Sequence, residues 1–206
     1  GPISFARARL TATGNADFGY VAGGNSPSAN RRVDKIDYSN DTATATNLGS
    51  TILPDATEEG GATGNASFGY FGEGESAHSN IYRVDYSNDT ANALARGQFS
   101  IGRDTLAAVG PRENALPTTI GTINYAAGTY ATPNTGYFGG GENISGRKST
   151  VDRIDYSNDT ATAAVKGSLS AAKRRLAAIS NSSFGYFGGG NLGPPGGTST
   201  VERINY

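Results

Sequence analysis

From residue 33 to residue 38 polar and apolar side chains alternate with period two (Lys35, Ile36, Asp37, Tyr38). Related runs end at Tyr86, Tyr156 and Tyr206. Such alternation predicts a strand with two unlike faces. A second run precedes each of them: FGYVAGG at 18–24, FGYFGEG at 68–74, TGYFGGG at 135–141 and FGYFGGG at 184–190. No segment has helical periodicity over a useful length, so the pattern predicts an all-β chain built from repeats.

Each repeat reads as four short strands. Strand a is expected around 10–13, 62–63, 105–109 and 176–179. A Gly-Asn or Asn-Ser turn (Gly14-Asn15, Gly64-Asn65, Asn181-Ser182) joins it to strand b, the glycine-aromatic run. Strand c covers 33–38 and its equivalents, and a Ser-Asn-Asp-Thr turn leads into strand d, placed at 42–46 and 160–165. Asn and Asp in that turn bond their own backbone and tolerate left-handed geometry, which favours a closed hairpin. The repeats are assigned to 1–48, 49–96, 97–166 and 167–206, the last one incomplete.

The third repeat is longer than the others and carries an insertion at 110–134. Its Ile123-Asn124-Tyr125 echoes Ile204-Asn205-Tyr206, which suggests an inserted β-hairpin or the remnant of a damaged blade. A four-stranded meander cannot bury both faces alone. Radial repetition solves this, because each sheet covers its neighbour, so the expected architecture is a β-propeller of four-stranded antiparallel blades. Gly1 falls into register with Gly49, Gly97 and Gly167, so the chain is expected to begin inside a repeat. Further chain or another subunit is expected to supply the strand that the fourth repeat lacks.

Composition narrows the function classes. Seventeen Lys and Arg stand against 18 Asp and Glu, a net charge of -1. That leaves no basic surplus to displace phosphate counterions, so nucleic acid is not an expected partner. No apolar run approaches the roughly 20 residues of a membrane helix, so membrane insertion is not expected either. Cysteine is absent, which removes disulfides, thiolate metal sites and cysteine nucleophiles together.

At its glycine doublets (Gly23-Gly24, Gly140-Gly141, Gly189-Gly190) and the tyrosines that follow (Tyr38, Tyr86, Tyr156, Tyr206) the chain resembles the kelch family of propellers. Arg9, Arg103 and Arg175 match that family's arginine before strand a, whereas its fourth-strand tryptophan is absent throughout. More narrowly, the RIDYSNDTATA…FGYFGGG pattern is similar to repeats in large virion and tail-fibre-type proteins of marine bacteriophages. The resemblance spans essentially the whole chain apart from the insertion. It implies a structural or host-recognition role on a virion appendage, with other virion proteins, further copies of the protein, or a host-surface glycan or protein as partners. The alternative reading is a cellular or bacterial surface adhesin, extracellular or at the cell surface.

Candidate chemistry is sparse, and no enzyme activity or cofactor is expected. The aspartates around the Ser-Asn-Asp-Thr turn (Asp37 and Asp41, Asp85 and Asp89, Asp155 and Asp159) suit either a calcium loop or an Asx-bonded hairpin turn; the alternating acids and central glycine of an EF-hand loop are missing. A basic residue two positions before an acid (Lys35/Asp37, Arg83/Asp85, Arg153/Asp155) suits a charged ring or a ladder of ion pairs between strands or blades. His78 is the only histidine, so a transition-metal site would need carboxylates alone as partners. Its surroundings suggest a solvent-exposed loop residue. The acid clusters Glu58-Glu59 and Glu73/Glu75 lie outside the repeated frame, with nothing fixing their separation for glycoside hydrolysis.

While the frame repeats, the b–c connections 25–32, 75–80, 142–149 and 191–200 differ, as does the d–a connection 49–61. In an antiparallel meander these emerge at one end of the blade, and loops on a rigid scaffold are the usual location of binding. The candidate binding-face residues are Asn25, Ser28, Arg31, Glu75, His78, Asn80, Glu142, Asn143, Arg147, Asn191 and Leu192.

Overall fold

The computed structural model describes residues 1–74, 78–110, 134–181, 183–194 and 196–206, which form four antiparallel sheets set as blades of a β-propeller. The first blade is the meander β1 (Thr11–Gly14), β2 (Phe18–Ala22), β3 (Val33–Asp37) and β4 (Thr46–Gly49). The second is β5 (Gly61–Gly64), β6 (Phe68–Gly72), β7 (Asn80–Asp85) and β8 (Leu94–Gln98). The third holds β9 (Ala107–Val109) and β10 (Thr135–Gly139), then a separate hairpin of β11 (Glu142–Asn143) and β12 (Gly146–Arg147), then β13 (Thr150–Asp155) and β14 (Ala164–Ser168). The fourth has three strands, β15 (Ala177–Ser180), β16 (Phe184–Gly188) and β17 (Val201–Asn205). The expected inserted hairpin at 110–134 falls, apart from its two end residues, outside the described residues.

The local chemistry explains most strand boundaries. Asn15 Oδ1 accepts the Asp17 and Phe18 amides at 3.0 and 2.9 Å, closing the a–b turn; Asn65 and Asn181 repeat it. Strand c stops at Asp37, Asp85 and Asp155, one residue before the tyrosine, because each carboxylate caps a 3-10 turn. Asp37 Oδ1 accepts from the Ser39 amide at 2.8 Å and from its hydroxyl at 2.7 Å. The turn is thus an Asx-bonded hairpin.

Strand d begins later than 42 or 160. The residues after the turn are drawn to the neighbouring blade instead: the Ala93 and Ala163 amides donate to the Ile52 and Gln98 carbonyls, each at 2.7 Å. Own-sheet pairing starts only at Thr46, Leu94 and Ala164.

The core lies between the blades. Tyr20, Ala22 and Val33 of the first blade pack with Phe71, Tyr82 and Val84 of the second. Tyr70 and Ile81 meet Phe138 and Ile154 at the next joint, and Tyr137 and Val151 meet Phe187 at the third. Strand-b glycines permit this close approach: a Cβ on Gly139 would lie 2.8 Å from the Phe187 ring. Each joint also stacks a strand-b tyrosine on the tyrosine that opens the next blade's turn. The pairs are Tyr20 with Tyr86, Tyr70 with Tyr156 and Tyr137 with Tyr206, with centroids 4.5, 4.7 and 5.4 Å apart.

Two joints add a buried or half-buried charge. Asp89 Oδ2 accepts from the Tyr20 hydroxyl at 2.9 Å and from Lys35 Nζ at 2.6 Å. Asp159 does the same for Tyr70 at 2.9 Å and Arg83 at 2.7 Å. The strand-c bases therefore pair across blades with the second aspartate of the next turn, while the aspartate two positions on caps its own turn.

Candidate binding face

The d–a linkers and b–c loops meet at one end of the blades, joined by single backbone bridges: Ala8 with Asn25, Asp104 with Glu142 and Arg174 with Asn191. Glycine makes this junction feasible. Gly24 and Gly141 sit at φ of 93° and 101°, and their amides donate to the Thr57 and Lys173 carbonyls of the next linker at 2.7 and 2.9 Å. These are left-handed conformations that a Cβ disfavours.

Beneath the junction the linkers of the first, third and fourth blades insert a base against an acid on strand c. Arg7 meets Asp34 and Arg103 meets Asp152, both at 2.9 Å and with all four side chains fully buried. Lys173 pairs with Glu202. Ser4 and Ser100 complete the acceptor geometry, each donating amide and hydroxyl to the same aspartate. Burial pulls the Arg103 pKa down, and Asp152 opposes that shift. Of the three arginines matched to the kelch position, only Arg103 fills this site. Arg9 and Arg175 lie two residues beyond its equivalents Arg7 and Lys173.

Arg9 and Arg175 belong to a different device. They, Glu59 and Thr105 hold φ of 59°, 57°, 58° and 51°, a left-handed conformation uncommon outside glycine. The four are linked in series by backbone hydrogen bonds: Glu59 N–H to Arg9 O at 3.1 Å, Thr105 N–H to Glu59 O at 2.8 Å, and Arg175 N–H to Thr105 O at 2.8 Å. This chain of bonds crosses the three boundaries between successive blades, and charged side chains lie beside it on the loop face. Arg9 pairs with Glu58 at 3.3 Å and Glu59 at 3.1 Å, and Arg174 pairs with Glu142. Desolvation raises the Asp104 pKa, against the lowering effects of Thr105, Arg174 and Arg175.

The second blade departs from the frame. Glu73 replaces the first glycine of the doublet and is fully buried; Tyr82 replaces the strand-c acid, and Thr57 stands where the other linkers carry a base. Glu73 Oε1 lies 2.7 Å from His78 Nδ1, and Glu73 Oε2 accepts from Asn80 Nδ2 at 3.0 Å. The Tyr82 hydroxyl donates to Asp55 at 2.6 Å. Burial, and then the Asp55 bond, push the Tyr82 pKa well above its ordinary value. His78 is an exposed loop residue, as expected, and its Nδ1 is tied to a buried carboxylate.

The candidate loop residues divide accordingly. Asn25, Glu142 and Asn191 carry the backbone bridges, Arg31 Nε donates to the Leu53 carbonyl at 2.7 Å, and Asn143 Nδ2 donates to the Gly102 carbonyl at 3.1 Å. Asn80 is held by Glu73, and Arg147 lies in the hairpin against Gly193. Ser28 and Leu192 are exposed; Glu75 lies outside the described residues. Ile144, at the tip of the β11–β12 hairpin, is 94% exposed and was not among the candidates. The signal that could have found it is Asn143 with Gly146: Asn143 Oδ1 accepts the Ser145 amide at 2.9 Å and Gly146 takes a φ of 100°, which closes a tight turn around Ile144.

On the axis, at the opposite end, the four strands β1, β5, β9 and β15 line a cavity of about 380 Å³. Its lining is mostly of small residues and includes the hydroxyl-bearing Thr13, Thr63, Ser180 and Tyr38. No protein-family model matches the chain, and no curated protein is detectably similar to it.

Proposed function

We propose that this chain is a non-catalytic, kelch-like propeller module of a bacteriophage virion appendage, a fibre or decoration. It acts in particle architecture or in binding a host-surface glycan or protein. The observation that carries this reading is a division of labour among residues. The repeated side chains build the frame: the tyrosine stacks hold blade to blade, and the buried Arg7–Asp34 and Arg103–Asp152 pairs fix a linker to strand c of its own blade. The loop face presents side chains that differ from blade to blade, among them the Arg9–Glu58–Glu59 group and the exposed Ile144 and Leu192. A rim of mixed charge with isolated apolar tips suits a polar macromolecular surface, where a few anchors and a polar periphery give binding. The virion assignment rests on the resemblance of the repeat itself.

The test is co-sedimentation with purified virus particles in a density gradient, read by peptide mass spectrometry. Stoichiometric peptides in the particle band are expected. Peptides found only in host membrane or medium would replace the virion reading with a surface adhesin.

A further inference from the structure

Where the third blade meets the fourth, the loop face carries more positive than negative charge. The linker that opens the fourth blade brings Arg174 and Arg175, and the β11–β12 hairpin with the residue after it brings Arg147 and Lys148. The backbone holds these four together. Arg174 N–H donates to the Asn191 carbonyl at 3.2 Å and Asn191 N–H returns the bond at 2.8 Å, while Lys173 N–H donates to the Lys148 carbonyl at 3.1 Å. Arg147 reaches across to the fourth blade. A Cβ on Gly193 would lie 2.9 Å from its Nη1 and 3.4 Å from its Cζ, so the guanidinium rests on that glycine.

Two carboxylates stand among the four cations. Glu142 is the register partner of Arg147 in the hairpin, yet it pairs with Arg174. Asp104, bridged to Glu142 through the backbone, lies in the field of Arg174 and Arg175. Among the described residues Arg147, Lys148 and Arg175 make no ion pair. The Nε atoms of Arg147 and Arg174 are buried with no acceptor. Buried donors are nearly always partnered, so this joint is short of acceptors as well as of negative charge.

The surroundings select the kind of partner. Along the serial backbone bonds, Arg175 leads through Thr105 to Glu59, where Glu58 and Glu59 outnumber Arg9. A long polyanion laid across the face would run from the basic joint onto those acids, whereas a short acidic stretch meets the basic joint alone. The exposed tips on the same two loops are aliphatic, Ile144 at 94% and Leu192 at 44% exposure. Residues 142–149 and 191–200 include no aromatic ring on which a sugar could stack.

We infer that this joint docks a short acidic segment of a partner protein. Its carboxylates bind Arg147 and Arg175, and its apolar side chains meet Ile144 and Leu192. Arginine suits that task, because its planar fork matches a carboxylate with two parallel hydrogen bonds. The inference rests on the reading of the loop face as a binding surface and not on the virion role, so peptide binding can fail while particle association holds.

Fluorescence anisotropy with a labelled peptide of repeating Glu-Glu-Leu triplets tests it on the whole chain, at low salt because exposed charges are screened. Binding that weakens as salt is added is expected. Arg175→Glu and Arg147→Gln should each weaken it about fivefold or more. The backbone accepts the first, since Glu59 holds a φ of 58° in the equivalent place against 57° for Arg175; circular dichroism would verify both folds. Lys166→Glu, exposed on β14, makes the same charge change as Arg175→Glu and should leave binding as it was. Ile144→Ser should erase the preference for this peptide over one with Ser in place of Leu. No binding at low salt, or an equal loss with Lys166→Glu, would overturn the inference. Alginate, a polyuronate, binding as tightly as the peptide would overturn it in favour of an acidic polysaccharide.

Discussion

Arg103 shows how much one position carries. Its guanidinium bonds Asp152 and the Phe138 and Ile101 carbonyls, with no exposure to water. Removing one member of a buried pair leaves the other charge uncompensated, at a cost of about 3–5 kcal/mol. Arg103→Met is therefore expected to lower chemical-denaturation stability by that order. The double variant R103M/D152L should regain much of the loss, since a well-packed apolar pair replaces a charged one at little cost. If the double variant were as unstable as the single one, hydrogen bonding to the carbonyls would be the dominant role. The pair was within reach of the sequence. Ser4-x-x-Arg7, Ser100-x-x-Arg103 and Ser170-x-x-Lys173 share a spacing, and Val33-Asp34, Val151-Asp152 and Val201-Glu202 supply the acids. Matching an arginine to strand a by proximity alone selected Arg9 and Arg175 instead, which the backbone turns toward the loop face.

At the scale of the element, the capped turn makes a pH prediction. Hydrogen bonds from Ser39, Ser87 and Ser157 hold the Asp37, Asp85 and Asp155 carboxyls below the usual carboxylate range. A folded pKa below the unfolded one gives stability that is present above about pH 4 and lost as pH falls through the folded value. Thermal melts across the acid range should show this decline, and Asn at all three positions should flatten it. An unchanged acid limb in that variant would mean that buried pairs such as Arg7–Asp34 dominate.

The strands and turns themselves were legible, because period-two alternation and Asn/Asp placement are local signals. The start of strand d was not. Nothing local announces that the Ala93 and Ala163 amides are taken by the neighbouring blade. The second blade's polar cluster was equally hidden, since Glu73, His78 and Tyr82 converge only once the sheet is folded.

For the whole molecule, the joints place tyrosines where ionisation is costly. Burial raises the pKa of Tyr20, Tyr70, Tyr86 and Tyr156 far above 10 and that of Tyr206 to about 12. A folded pKa above the unfolded value gives stability that is fully present below about pH 10 and lost as pH rises through the folded value. Ultraviolet titration should therefore show these tyrosines ionising only as the blades separate, in step with loss of circular dichroism. A single uncoupled titration would contradict the packing.

The serial bonds through Arg9, Glu59, Thr105 and Arg175 also bear on how such a protein changes over time. They run from main chain to main chain, so the series asks of these positions a left-handed backbone rather than a particular side chain. Arg9 and Glu59 add an ion pair across the first boundary and Thr105 is buried, whereas Arg175 is exposed. A mutation at Arg175 that accepts the left-handed backbone repaints the charge of the loop face without touching the bonds below it. The molecule thus keeps an interchangeable letter on a fixed frame, so that a shift in what the face must meet needs no shift in the fold.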